Sequence, residues 1–503
     1  MKYLTVEEAA KKFDLSARSI RNYCQQGRII GAVLSGKTWL IPEDAKKPER
    51  INAKNDDLFY ENTQYGNDLI SFINESPVAC LAISNIKNIL LNSGYKEVFE
   101  NKKHQFKAGE KVFIIRNDST MLALNIGKNI SENNVNFHIV ATHADSPCFK
   151  IKPESDITSD AYQKLNVAPY GGMIPSTWLD RPLSIAGRVV INKEEGIQKE
   201  LVNFKDLTVL IPNLCIHFSK SLNESDLNMA IDMVPFLSCD ENQSFKDLIA
   251  KRLDVDKDRI MNYDLYCYNK ESGTLWGEKN EFISSSRLDD LQCVYTSMRA
   301  FKESENENSI NVMYIADNEE VGSHSSQGAD SDFLRNTLKR VCHDLNADYE
   351  VAVANSFLVS ADNAHAVHPN KVEVTDKVNK AYMNKGLVIK FNPSQTYTSD
   401  GISSAIFQKI CSNADVPYQF FTNRSDLRGG STLGNILLSQ VSILAVDVGL
   451  AQIAMHSSYE TAGTRDIKYA IDAFKEFYSS NIVFDNNSYN ISKITNLYKI
   501  KHI

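Results

Sequence analysis

Asn311 to Ser323 reads NVMYIADNEEVGS, an apolar, β-branched run that stops at Asp317, Glu319 and Glu320 and is followed by Gly322. Such a run reads as a buried strand ending in a loop. Adjacent glutamates at a strand end point in different directions, so one can bind a metal while the other moves a proton. Four more segments share this layout of an apolar run closed by a ligand-type residue. FHIVATHADSP (137–147) delivers His143 and Asp145 two residues apart, hence on one face of an extended backbone, where the acid can orient the imidazole. SRLDDL (286–291) puts Asp289 where a helical pattern begins, the run before SADNAHAVHPN (360–370) ends at Asp362, and ILAVDVGLAQIAMHS (443–457) ends at His456. Taken singly, an aspartate at a helix start is an N-cap and a histidine a packed or surface residue. Together, two histidines and three carboxylates form a hard, oxygen-rich set suited to two divalent cations about 3.5–4 Å apart, one carboxylate bridging. A carboxylate free of metal must then take the proton of a shared water, and Glu319 adjoins the set.

HADSP, SRLDDL, DNEEVGS, SADNAHAVHPN and DVGLAQIAMHS, in this order, resemble the motifs of the aspartyl aminopeptidase family of dinuclear zinc exopeptidases, from roughly Asp57 to Tyr478. The resemblance implies one metal on His143, Asp289 and Asp362 and a second on Asp289, Glu320 and His456. Asp289 would be the bridge, Glu319 the general base and Asp145 the partner of His143. It further implies that His217, in PNLCIHFSKS, reaches a neighbouring subunit's active site, and that Lys390, in GLVIKFN, pairs with an acidic N-terminal side chain. Gly429, Gly430, Ser431 and Thr432 supply small residues that bring backbone N–H groups toward a peptide carbonyl. The implied cofactor is two divalent ions per subunit, Zn2+ foremost, with Mn2+ or Co2+ also suited to such ligands. The implied activity is release of an N-terminal residue, Asp or Glu, from peptides by a homo-oligomer built of dimers into a tetrahedral dodecamer. An aminopeptidase of neutral-residue specificity is the alternative within this class.

These residues require strands to deliver them. The 503 residues are 43% hydrophobic, which suits about three globular domains. The expected fold is α/β: a mixed-sheet zinc-exopeptidase (phosphorylase/hydrolase-like) catalytic domain at 58–150 and 285–480, a β-rich insert at 151–284 that the resemblance makes a dimerisation domain, and an unassigned tail at 481–503. STWLDRPLSIAGRVVIN and NFKDLTVLIPNLCI carry the strand pattern of the insert, with His217 following on the second. No apolar run reaches the 18 residues of a membrane span and the N-terminus is too acidic for a signal peptide, so a cytoplasmic protein is expected. Nine cysteines without a Cys-x-x-Cys pair point to reduced thiols.

Met1 to Arg50 carries ten Lys/Arg against six Asp/Glu, net +4, whereas the remainder is net −12. Thr5 with Glu8 forms a capping box, Ser16 caps a second helix, and Ile29 to Ile41 reads as a hairpin about Ser35-Gly36-Lys37. This is a winged helix-turn-helix at 1–48, resembling the heads of excisionase-like regulators, with a polar linker at 49–57. DNA contact through Arg18, Arg21, Asn22 and Lys37 is its functional reading. A regulator whose peptidase-like body senses peptides is accordingly the alternative of another class.

Overall fold

The computed structural model describes residues 3–13, 15–25, 29, 32–35, 38–43, 45, 47, 53–218, 227–240, 244–427, 429–485 and 488–493, with side chains of Arg18, Asn22, Gln25, Ser35, 53–61 and Lys493 outside the description. The chain divides into two units, Met1–Glu61 and Asn62–Ile503.

In the first unit, strand Tyr3–Leu4 leads into helices Val6–Phe13 and Ala17–Gln25, followed by strands Val33–Ser35 and Thr38–Pro42. The capping box forms: the Glu8 carboxylate accepts from the Thr5 N–H at 2.7 Å, and the Glu8 N–H donates to the Thr5 hydroxyl at 3.2 Å. Ser16 caps the second helix by accepting from the Ser19 N–H at 3.1 Å. Val6, Ala9, Phe13, Ile20, Cys24 and Ile41 close a small core. A helix of Ala53–Asn74 begins inside the stretch expected to be linker. Past Pro48 the segment has neither proline nor glycine, and polar composition predicts exposure rather than the absence of helix.

The second unit is organised on a nine-stranded mixed sheet. Four neighbouring strands at its centre, Leu444–Gly449, Phe357–Ala361, Phe137–His143 and Ile310–Ala316, run parallel. All four are buried or nearly so along their length, as parallel strands covered on both faces must be. Along Ile310–Ala316, Met313 and Ile315 enter one core with helices Leu288–Glu303 and Thr464–Ser479, while Val312, Tyr314 and Ala316 enter another with Phe333–Asp344 and Leu433–Gln440. Parallel alignment brings the carboxyl ends of these strands to one edge, where α/β sheets hold their ligands.

A six-stranded antiparallel sheet interrupts this body. Its strands run from Cys148–Ser159 to Ile260–Asn269, in the order Gly196–Asn203, Leu183–Lys193, Ile260–Asn269, Cys148–Ser159, Tyr162–Tyr170 and Phe236–Ser238. Phe149, Leu165, Ile185, Phe245 and Leu265 lie in its separate core, under the nine-residue helix Phe245–Leu253. Thr274–Trp276 and Phe282–Ser285, expected within the insert, instead join a five-stranded sheet of the catalytic body, where Phe282 pairs with Gly463. That pairing spans most of the carboxyl half of the chain and leaves no local signal. The expected strand up to Ile216 is also corrected: Gly196–Asn203 is the last long strand there, and 212–217 forms no ladder. Pro212 lacks a donor, and Leu214 and Ile216 are exposed, so their apolar character does not report a buried strand. At the other end, Ser480–Asp485 pairs with Ser488–Lys493 as a hairpin within the stretch left unassigned. Among the described residues no helix is long and apolar enough to cross a membrane.

Candidate active site

His143 ends its strand with its ring buried. Nδ1 lies 3.1 Å from the Asp145 carbonyl oxygen and 3.4 Å from Asp145 Oδ1, while Nε2 faces Asp289 Oδ1 at 3.6 Å and Glu319 Oε2 at 4.0 Å. Asp145 accepts from the backbone N–H groups of Glu319 and Glu320, each at 3.1 Å, and from the Tyr170 hydroxyl at 2.7 Å. Asp289 follows Arg287, whose φ of 58° is left-handed, and is itself non-helical, so the sequence SRLDDL turns the carboxylate toward the strand ends before the helix settles. The Asp289 N–H donates to Glu460 Oε2 at 3.0 Å. His456 Nε2 lies 3.5 Å from Asp289 Oδ2 and 3.4 Å from Glu320 Oε2, and its backbone N–H donates to Glu460 Oε1 at 2.8 Å.

Three sets of ligand atoms therefore gather, each within 4.8 Å: His143 with Asp289 and Asp362, Asp289 with Glu320 and His456, and His143 with Glu319 and Glu320. Asp289 Oδ1 and Glu320 Oε1 are buried oxygens without a hydrogen-bond partner. Buried carboxylate oxygens of this kind call for a cation, and a mixed nitrogen and oxygen donor set fits a divalent one.

Electrostatics without such a cation are costly. Burial, opposed by His143 but reinforced by Asp362, Asp145 and Asp289, pushes the Glu319 carboxyl up to about 8. Burial likewise pushes Asp362 up to about 6, despite Lys390, and Glu460 up to about 8. Burial disfavours the cation on His456, yet Asp289 and Glu460 outweigh it and raise this ring to about 9. Burial opposes ionisation of Asp289 too, but both histidines outweigh it and hold that carboxyl below its usual range.

The crevice above these groups is lined by Lys390, Ser431 and Thr432 as well. Lys390 is 2% exposed, and its Nζ donates to the Asp362 and Asn363 carbonyl oxygens at 2.8 and 3.3 Å. Ser431 is exposed, whereas the Thr432 hydroxyl is occupied with Asp447 Oδ1 at 2.9 Å. His217 does not line this crevice: it sits exposed in a turn of the insert, beside residues outside the description. Cys148 offers no nucleophile, because burial pushes its thiol well above the ordinary range, and all nine cysteines are free. In the first unit, Arg21 pairs with Glu7 at 2.8 Å. Arg18 and Asn22 lie on the helix Ala17–Gln25 with side chains outside the description, and Lys37 lies outside the described residues.

A model of the family described as aminopeptidase I zinc metalloprotease (M18) matches residues 72–478. The chain belongs to the M18 family. A helix-turn-helix model matches residues 3–45. A probable M18 family aminopeptidase 2 of Clostridium novyi is 43% identical over 428 residues, covering 83% of this chain and 99% of the relative. A probable aspartyl aminopeptidase of Ricinus communis is 34% identical, covering 86% and 98%. Among solved structures, Ape4 in its complex with Nbr1 superposes with a TM-score of 0.80 at 33% identity, covering 84% of this chain and 86% of that one. The mApe1 dodecamer of S. cerevisiae gives 0.73 at 26%, covering 83% and 97%. The second unit is thus the body of a zinc metalloaminopeptidase, joined in one chain to a helix-turn-helix head.

Three groups of the M18 site escape a reading of single motifs. Glu460 binds two backbone N–H groups, and Asp290 Oδ2 accepts the His143 N–H at 3.3 Å. Asp290 stands within SRLDDL and had a signal, whereas Glu460 lies past the end of the motif that carries His456. Tyr170 comes from the insert and had none.

Proposed function

We propose that this M18 enzyme releases an N-terminal residue, preferably Asp or Glu, from peptides with two divalent ions per subunit, Zn2+ foremost. His143, Asp289 and Asp362 would hold one ion and Asp289, Glu320 and His456 the other. The observation that carries this reading is the membership of Asp289 in both ligand sets, facing His143 through one oxygen and His456 through the other. Ions bound there would supply Lewis acidity toward the scissile carbonyl and toward the attacking water. Glu319, beside both sets yet needed by neither, takes the proton of that water and returns it to the leaving amine. Asp145 holds His143 through Nδ1 and leaves Nε2 for the metal. Small backbone at Gly430 and Ser431 approaches the substrate carbonyl.

Acidic preference is supported by Lys390, a buried ammonium lining the crevice with two of its three N–H groups on carbonyl oxygens. A carboxylate on the first residue gives the third a charge-assisted partner beyond Asp362 Oδ2, which lies 3.8 Å from Nζ, and a neutral side chain does not. Likeness to the mApe1 dodecamer supports assembly, in which His217, exposed on the insert, would serve a neighbouring subunit's site. The test is hydrolysis of acidic and neutral aminoacyl substrates by metal-free and metal-reloaded enzyme. Cleavage of acidic substrates only after reloading supports the reading, cleavage of neutral ones alone removes the Lys390 argument, and none from reloaded, assembled enzyme sinks it.

The helix-turn-helix match favours a second activity: contact with DNA by the second helix, through Arg18, Arg21 and Asn22, and by Lys37 in the wing. Copies on an oligomer act together where one binds weakly. A salt-dependent shift of a duplex probe by the whole assembly is expected, and its absence at low salt removes this role.

A further inference from the structure

The turn that leaves strand Tyr162–Tyr170 of the inserted sheet runs against both halves of the site. At its start, the Tyr170 hydroxyl donates to Asp145 Oδ2 at 2.7 Å and accepts from Asn318 Nδ2 at 2.9 Å. The phenol is thereby fixed in direction, its single proton on the carboxylate that also faces His143 Nδ1. Next, Gly171 has φ of 73°, and a Cβ placed on it would lie 3.1 Å from the Glu320 Cβ and 3.3 Å from the Glu320 carbonyl oxygen. A side chain there would crowd the Glu319-Glu320 pair and add the strain of a left-handed φ. Gly172 follows beside the His456 ring. A Cβ at Gly172 would sit 3.9 Å from Nδ1, the ring nitrogen opposite the one that faces Asp289 and Glu320. Two further bonds fasten the strap: the Ile174 N–H donates to the His456 carbonyl oxygen at 3.1 Å, and the Ser458 N–H to the Thr177 hydroxyl at 2.9 Å.

The strap thus reaches both histidines: His143 is held by Asp145, which Tyr170 holds, and the backbone of His456 is held by the Ile174 N–H. We infer that Tyr170 is a positioning residue for the metal site, and that the strap from Tyr170 to Thr177 makes the inserted domain part of the machinery that orients the metal-binding His143 and anchors the backbone of His456. This rests on the metal assignment proposed above. A histidine ligand is oriented and its basicity raised by the acceptor on its far nitrogen, and loss of such an acceptor or its support costs about 10–100-fold in metal affinity or activity.

The experiment compares wild type, Tyr170→Phe, Asp145→Asn and the double variant, with Tyr162→Phe, an exposed ring on the same strand, as control. Transfer of Zn2+ from the assembled enzyme to a chromogenic chelator gives metal retention, and the visible absorption of the Co2+-loaded protein gives ligand geometry. Tyr170→Phe is expected to release Zn2+ about tenfold faster or more and to alter the Co2+ spectrum. Because it acts through Asp145, it adds little on the Asp145→Asn background. Tyr162→Phe behaves as wild type. Release and spectrum unchanged in folded Tyr170→Phe overturn the inference, as does full additivity with Asp145→Asn. If Tyr170→Phe does not assemble, Asn318→Gly decides by the same readouts, with Ser325→Ala beside it because Asn318 Oδ1 also accepts from the Ser325 hydroxyl: it keeps the left-handed φ of 60° accessible and removes the amide on the phenol oxygen, so wild-type retention there overturns the inference. A wild type that retains no divalent ion would instead remove the metal assignment itself.

Discussion

Glu319 and Glu320 are adjacent in the chain, and their carboxylates are expected to fail in different ways. Glu319→Gln should lower kcat by about 10²–10⁴-fold while the metal content stays at the wild-type level, since a general base is lost and no ligand. Glu320→Gln should instead lose metal, seen by elemental analysis after gel filtration. Equal metal loss in both would move Glu319 into the ligand set. Lys390→Met should lower kcat/KM for an acidic substrate by about 10²-fold, the value of a buried charge-assisted contact, and change the neutral substrates much less. At this scale the residues that gather into the candidate metal sets were legible because residue type and placement coincide: His143, Glu320, Asp362 and His456 stand where an apolar run stops, and Asp289 where a helix begins. Glu460 was less so, because its partners are the backbone N–H groups of Asp289 and His456, and nothing in a residue's own type reveals which distant amide it will meet. The burial of Lys390 was likewise hidden, since a strand lysine reads as exposed until the strands on both sides of it are known.

Strand ends and crossings carry the next layer. At Gly449 the strand Leu444–Gly449 passes so close to the turn after Phe357–Ala361 that an added Cβ would lie 2.0 Å from the Asp362 carbonyl oxygen. Gly449→Ala therefore has to push backbone that carries a ligand. It is expected to cost about 1–3 kcal/mol of stability, the usual range for overpacking, and to weaken metal retention along with it. Thermal unfolding with and without metal separates the two effects, and a variant with wild-type melting and wild-type retention would refute the argument. The central strands were legible because burial on both faces writes continuous apolar runs. The boundary of the insert was not, because Phe282–Ser285 owes its place to pairing with Glu460–Gly463 rather than to any local pattern. Ala53–Asn74 shows the converse case, a helix whose polar opening resembles a linker in composition.

Across the whole molecule, the metal-free site links stability to pH. Carboxyls at Glu319 and Glu460 stand near 8 and Asp362 near 6, all above their ordinary values, so they favour the fold at low pH, where they are neutral. His456, near 9, favours it below the ordinary histidine value, where it is charged. Both contributions disappear as pH rises through about 6–9, so the metal-free protein should melt at lower temperature at pH 9 than at pH 6. Divalent ions bind the deprotonated groups, and their stabilising effect should grow over the same window. Scanning calorimetry at several pH values, with and without Zn2+, measures both, and a metal increment that is flat from pH 6 to 9 would contradict the assignment.

The strand Phe137–His143 takes both of its sheet neighbours, Ile310–Ala316 and Phe357–Ala361, from beyond the insert. During synthesis it leaves the ribosome long before either exists, with both edges unpaired and a sequence apolar on both faces. At about 5–20 residues per second that interval lasts roughly ten to thirty seconds. Meanwhile the strands of the insert, from Cys148 to Asn269, are complete among themselves and can pair as they emerge. The nascent chain is thus obliged to protect one sticky segment while building a finished domain beside it, and the catalytic body closes only after Leu444–Gly449 has been made.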